Sequence, residues 1–161
     1  MMKSFEELAA LETPAVTTGR FGPGGQRLDD AQLRQIHARV MSLPIVRHLR
    51  MDVSFSMDGV VEARLPSIEP FHLGGHHGDA VNGAVILSLL YCTIVCPGLL
   101  YFSNCSTLQF DSKLLKPVSP NNVKARGYAY AATRKMVFCK AFVSDVDDEP
   151  RAIATGIVVR I

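Results

Sequence analysis

The chain has 161 residues, 48% of them apolar and 20% charged, with 17 basic against 15 acidic side chains and a net charge of +2. That length suits one domain rather than two separate cores, and that balance is globular, which excludes disordered and fibrous classes. The charges are scattered without a basic stripe, so nucleic-acid binding has no electrostatic footprint.

Four cysteines, Cys92, Cys96, Cys105 and Cys139, do not make a disulfide framework in a chain of this length. Cys92 and Cys96 lie in an apolar run and are expected to be buried free thiols. The opening MMKSFEELAALE carries acids and no apolar core of a secretory signal. A reducing cytoplasm is the expected compartment.

In chain order, Ser4 to Glu12 reads as a short helix, followed by a Thr-, Gly- and Pro-rich link through Gly25. Asp29 or Asp30 can cap a helix to about Ser42, with Leu33, Ile36, Val40 and Met41 on one face, and Pro44 ends it. Met51, Val53 and Phe55 alternate with polar neighbours. Asp58-Gly59 turns the chain, and Val60 to Leu65 returns. A loop from Pro66 to Gly78 holds His72, His76 and His77. Val81 to Cys96 is a long apolar helix that Asp79 could cap and Pro97-Gly98 breaks. It is shorter than the roughly 20 apolar residues of a membrane span and is interrupted by polar ones, so no membrane partner is expected. Four further strands are expected over Ser106–Leu115, Asn122–Ala132, Lys135–Val143 and Ala152–Ile161. A helix apolar on nearly every side needs a sheet that curves around it. The fold class is therefore α+β, a curved, mainly antiparallel sheet wrapped around one central helix.

This layout, with H-G-D-A-V-N-G-A-V-I-L-S-L-L opening the long helix, C-S-T-L-Q-F-D-S-K-L-L-K-P downstream and D-V-D-D-E-P-R-A-I-A-T-G-I-V-V near the end, resembles the hotdog-fold thioesterases of the phenylacetate-degradation type. The resemblance covers residues 43–161 as a hotdog domain and leaves 1–42 as an N-terminal helical extension. It implies an acyl-CoA thioesterase without a separate cofactor, coenzyme A entering as part of the substrate, and a homodimer or homotetramer. The family opens its helix with His-Gly-Gly and places Asp or Glu nine residues after that His. Here Asn82, Gly83 and Ala84 fill the first three places and Tyr91 the acidic one.

A free N–H at the helix tip, at Gly83, suits a developing oxyanion; close packing of small residues is the other reading of Gly83 and Ala84. Tyr91, a neutral phenol at pH 7, can donate to a carbonyl or flank an acyl chain, or else be a core aromatic with its hydroxyl bonded to the backbone. Thr107 matches the family's strand hydroxyl that reaches the partner subunit's site. Asp111, read as sharing its face with Thr107, Gln109 and Lys113, and Asp79 and His76 are candidates to replace the missing acid. Asp79 is equally a helix cap, and the histidines a solvated loop or, with Asp79, a metal cluster. Lys113, Lys116 and Arg134 are candidates for the phosphates of coenzyme A, among other basic residues of the late strands, Lys124, Arg126 and Lys135. Two alternatives stand beside hydrolysis. One is a non-catalytic acyl-CoA or lipid-binding protein, and the other a hotdog dehydratase suggested by Phe71-His72 and Ser88.

Overall fold

The structure, a computed structural model, describes residues 28–56, 58–74, 78–146 and 149–161. The expected helix over Ser4–Glu12 and the link through Gly25 lie outside these residues, as do His76 and His77. Helix α1 spans Asp30–Met41 and α2 spans Pro44–His48. Strands β1 (Asp52–Phe55) and β2 (Val61–Arg64) follow, then a 3-10 turn at Pro70–His72 that leads into the two-residue strands β3 (Leu73–Gly74) and β4 (Ala80–Val81). Helix α3 covers Gly83–Leu99. Strands β5 (Cys105–Leu114), β6 (Lys124–Ala132), β7 (Met136–Ser144) and β8 (Pro150–Arg160) complete the chain.

Asp29 caps α1 in a reciprocal box with Gln32, each side chain meeting the other's backbone N–H. Pro44 does more than end this helix. It sits in the first turn of α2, where its missing N–H costs nothing. Val40 is fully buried, and Ile36 and Met41 pack against the same core, so α1 is docked on the sheet. Gly59 takes φ +83° in the turn between β1 and β2, a conformation that favours glycine.

The six long strands form one antiparallel sheet in the order β1-β2-β6-β7-β8-β5. Helix α3 lies across its concave side, burying Val85, Ile86, Leu89, Leu90, Ile94 and Leu99 against Ala125, Val137, Cys139, Ala141 and Val158. The wrapped helix expected from hydropathy is therefore present. Its end is not where proline suggested: α3 runs through Pro97 to Leu99. Pro97 has no N–H to give the Thr93 carbonyl, and β6 comes in against that carbonyl. A Cβ on Gly127 would lie 2.0 Å from the Thr93 oxygen, so only glycine fits there. Among the described residues, no helix is long and apolar enough to cross a membrane.

Candidate functional site

The tip of α3 is built by Asn82. Its side-chain oxygen accepts from the Ala84 N–H at 2.9 Å, and its own N–H donates to the His72 carbonyl at 2.8 Å. The cap is thus Asn82 and not Asp79. Asp79 is exposed and precedes β4, whose pairing with β3 holds it three extended residues, about 10 Å, from Asn82. Asn82 is consequently a positioning residue with its oxygen already engaged. Gly83 is the first helical residue, and its N–H has no intrahelical partner. Among the described residues, a Cβ there would meet only Leu114 Cδ1, at an ordinary 3.4 Å, so their packing does not require this glycine.

His72 is fully buried beneath that tip. The Glu69 N–H donates to its Nδ1 at 3.0 Å, which places the ring proton on Nε2, where it donates to the Leu49 carbonyl at 2.9 Å. With both nitrogens engaged, His72 is neither a solvated loop residue nor a metal ligand, and the dehydratase reading loses its histidine. Ser88, the other residue behind that reading, donates back to the Ala84 carbonyl at 2.8 Å. Among the described residues, no group of three His, Cys, Asp or Glu side chains is placed to hold a metal ion.

Tyr91 is not in the core. It is 45% exposed, on the side of α3 next to the edge strand β5. Its hydroxyl meets a side chain rather than the backbone, accepting from Thr107 Oγ1 at 3.0 Å, and its ring stands edge-on to Phe110 at 5.5 Å. Because the phenol accepts in that bond, its own proton is left to donate.

The pairing of Tyr91 with Thr107 depends on a bulge in β5. Thr107 pairs with Val158 but Gln109 already with Ile157, so Leu108 is the extra residue. The bulge resets the alternation. Thr107, Phe110, Ser112 and Leu114 lie opposite the inward-facing Val158, Gly156, Ala154 and Ala152, whereas Gln109, Asp111 and Lys113 lie opposite Ile157, Thr155 and Ile153 of the outer face. Asp111 and Lys113 therefore point away from Tyr91, which corrects the expectation that they share a face with Thr107. Asp111 instead receives the Gln109 amide at 2.5 Å. Lys116 pairs with Glu149 at 3.3 Å beyond the end of β5 that lies near Gly83. Arg134 sits in the β6–β7 turn, next to Lys135, whose carbonyl accepts from Arg160 at the opposite end of β8. The chain does not bring Arg134 together with Lys116.

Between α2 and α3 runs an apolar cleft of about 320 Å³, lined by Leu43, Ile45, Leu87, Val95, Leu99 and Phe110, with Ser88, Tyr91, Cys92 and Cys96 supplying its polar atoms. Sequence reasoning missed this cleft. Its only signal was Pro44 immediately before Ile45, the start of the short helix that forms one wall. It also missed the contact between the Cys92 and Cys96 sulfurs, 3.7 Å apart.

No protein-family model and no curated protein matches the chain by sequence. Solved structures do match it. The E. coli PaaI protein of the phenylacetic acid degradation operon superposes with a TM-score of 0.71 at 16% identity, over 81% of this chain and 94% of that one. A Shewanella oneidensis protein related to the thioesterase superfamily gives 0.68 at 17% identity, over 82% and 99%. A mutant thioesterase from Pseudomonas aeruginosa gives 0.65 at 19% identity, over 83% and 94%. At such identities the likeness is one of architecture, and what it establishes is that this chain has the hotdog fold.

Proposed function

We propose that the chain is an acyl-CoA thioesterase that works as a homodimer, with a site made of two halves from different copies. The observation that carries this reading is the pair of unspent donors on one helix: the Gly83 N–H at its tip and the Tyr91 hydroxyl, supported by Thr107, on its side next to β5. The first suits the oxyanion of a tetrahedral intermediate, and the second suits the carbonyl or the attacking water. Eight residues of helix separate them, about 12 Å, too far for one thioester group to touch both in one protomer. A second copy running antiparallel would bring Tyr91 of one helix beside Gly83 of the other.

The surface favours such a copy. Among the described residues, strand β5 is a ten-residue edge with no neighbour on its far side, and Leu108 and Leu114 on it are 63% and 50% exposed. Leu87 and Tyr91 continue the apolar surface onto α3. A long open edge of this kind is a template for strand pairing. Lys116, at the Gly83 end of β5, is a candidate for coenzyme A phosphates.

A second reading has its own support: among the described residues no carboxylate is hydrogen-bonded to the Tyr91 hydroxyl or the Gly83 N–H, which suits a protein that binds acyl-CoA without cleaving it. The test is release of free coenzyme A thiol from a panel of aliphatic and aryl acyl-CoA esters, run beside calorimetric binding of the same esters. Turnover above the background hydrolysis supports the thioesterase. Tight binding with no release assigns the binding role instead.

A further inference from the structure

Cys92 and Cys96 are one helical turn apart and both form part of the wall of the apolar cleft. The other polar lining atoms are already partly committed. The Ser88 hydroxyl donates to the Ala84 carbonyl, and the Tyr91 phenol accepts from Thr107 but keeps its own proton. We propose that Cys92 is an acyl-accepting nucleophile, which takes the acyl group of an acyl-CoA thioester and holds its chain in the cleft. This rests on acyl-CoA being the ligand, as the proposed function has it, but not on hydrolysis.

The step balances without any further reactant. The Cys92 sulfur adds to the carbonyl carbon, and the oxyanion that forms is of the kind that an O–H such as that of Tyr91, which lines the same cleft, stabilises. The carbon–sulfur bond to coenzyme A then breaks, and the departing sulfur takes the proton that Cys92 gave up. One thioester forms as another is lost.

The two thiols have different parts. The two sulfurs share a hydrogen bond that either can donate; with Cys96 as donor the bond favours the Cys92 thiolate and lowers its pKa against the opposing effect of burial. That same bond, with burial, pushes Cys96 well up and keeps its proton in place. Burial also pushes Cys105 and Cys139 up, and neither forms part of the cleft wall. Of the two cysteines in the cleft wall, Cys92 is the less buried, at 6% against 1% exposed for Cys96, and it is the one adjacent in sequence to Tyr91. An eight-carbon chain fits, because at about 30 Å³ per water-sized group the cleft holds roughly ten.

The experiment incubates the full chain with octanoyl-CoA, traps it in acid and measures the intact mass, with the modified residue mapped by proteolysis. The expected result is one octanoyl group per chain, on Cys92, removed by neutral hydroxylamine as a thioester must be. Cys92→Ser is expected to lose the adduct. Cys96→Ala is expected to slow its formation by roughly three- to tenfold, the worth of one hydrogen bond to the thiolate. An unmodified chain, or an adduct on Cys105 or Cys139 of the native protein, overturns the proposal whatever the variants do. Multiple-turnover release of coenzyme A is followed separately. Acylation without turnover sustains this inference while refuting the thioesterase, and turnover without acylation does the reverse.

Discussion

Replacing Gly83 by proline removes one backbone N–H from the helix tip and leaves nearly everything else in place. Residue 83 is the first of the helix, a position that proline favours because its nitrogen has no helical acceptor. Asn82 has φ −58° and ψ 135°, a polyproline-like backbone outside the α region that a following proline disfavours. The added Cβ meets Leu114 Cδ1 at 3.4 Å, and the cap from Asn82 to the Ala84 N–H is untouched. Stability is therefore expected to stay within about 1 kcal/mol of the parent, as for proline at a compatible site. If the Gly83 N–H holds the oxyanion, losing one such donor lowers kcat by about 100- to 1000-fold, or about 2.7–4 kcal/mol of transition-state stabilisation. KM moves little, since the interaction belongs to the transition state. Gly83→Ala keeps the N–H and is the control, expected to stay within roughly threefold. The assay is thiol release from an acyl-CoA ester at saturating substrate, with melting temperature confirming the fold. A folded Gly83→Pro protein with kcat within threefold of the parent would show that the oxyanion lies elsewhere.

Four other outcomes follow from the same contacts. Tyr91→Phe is expected to cut kcat about 10- to 100-fold, and Thr107→Val less, about three- to tenfold, while both leave urea stability within about 0.5 kcal/mol because the pair is at the surface. His72→Phe strands the Glu69 N–H and the Leu49 carbonyl and is expected to cost about 2–4 kcal/mol in urea unfolding. Gly127→Ala drives a Cβ against the Thr93 carbonyl and is expected to cost about 3 kcal/mol or more, or to prevent folding, read by the same unfolding curves. For Glu62, burial alone would raise the carboxyl, but hydrogen bonds from Arg126, at 2.7 Å, and Arg64, together with their charges, hold it below the ordinary range. A depressed folded value stabilises above the unfolded pKa of about 4.3 and stops doing so as pH falls through the folded value. The deficit of Glu62→Gln, about 1 kcal/mol at pH 7, is expected to close as unfolding is followed down to acid pH.

The helix inside its sheet was legible because hydropathy reports burial: seventeen residues with almost no polar face have to be covered on most sides. The strands were legible for the same reason, and their observed bounds lie within about two residues of those expected from alternation and turn residues. What alternation cannot carry is an interruption of its own period. Counting by twos from Thr107 puts Gln109, Asp111 and Lys113 on its face, and one unpaired residue, Leu108, reverses that assignment. Nothing in the composition of T-L-Q-F distinguishes a bulge from a regular strand. The capping of α3 failed for a related reason. Asp79 and Asn82 are both good cap residues, and the choice between them is made by the pairing of β3 with β4, a two-residue ladder too short to leave a hydropathy signal. His72 is the third case. A histidine among glycines and prolines reads as solvated until the two backbone groups that hold it, from Leu49 and Glu69, are brought there by the fold.

These corrections bear on the chemistry together. The family resemblance places an acid where Tyr91 stands, and each sequence candidate to replace that acid with a carboxylate is displaced by the structure: Asp111 by the bulge, Asp79 by the β3–β4 pairing. The parts that survive do not depend on an acidic side chain. The Gly83 N–H belongs to the backbone of any helix begun at that residue, and the Tyr91 hydroxyl is oriented by Thr107 rather than by charge. Among the described residues, such a site can polarise a thioester but has no carboxylate bonded to its donors to attack it. The nucleophile proposed above, Cys92, one residue beyond Tyr91 and in the wall of the cleft, would need none. Polarisation and attack would then both belong to α3 of one copy, with Tyr91 as the oxyanion donor and Cys92 as the nucleophile, while the Gly83 tip, about 12 Å away along the helix, would serve the site of the second copy. In this arrangement the chemistry moves from a carboxylate to a thiol while the fold that presents it stays the same.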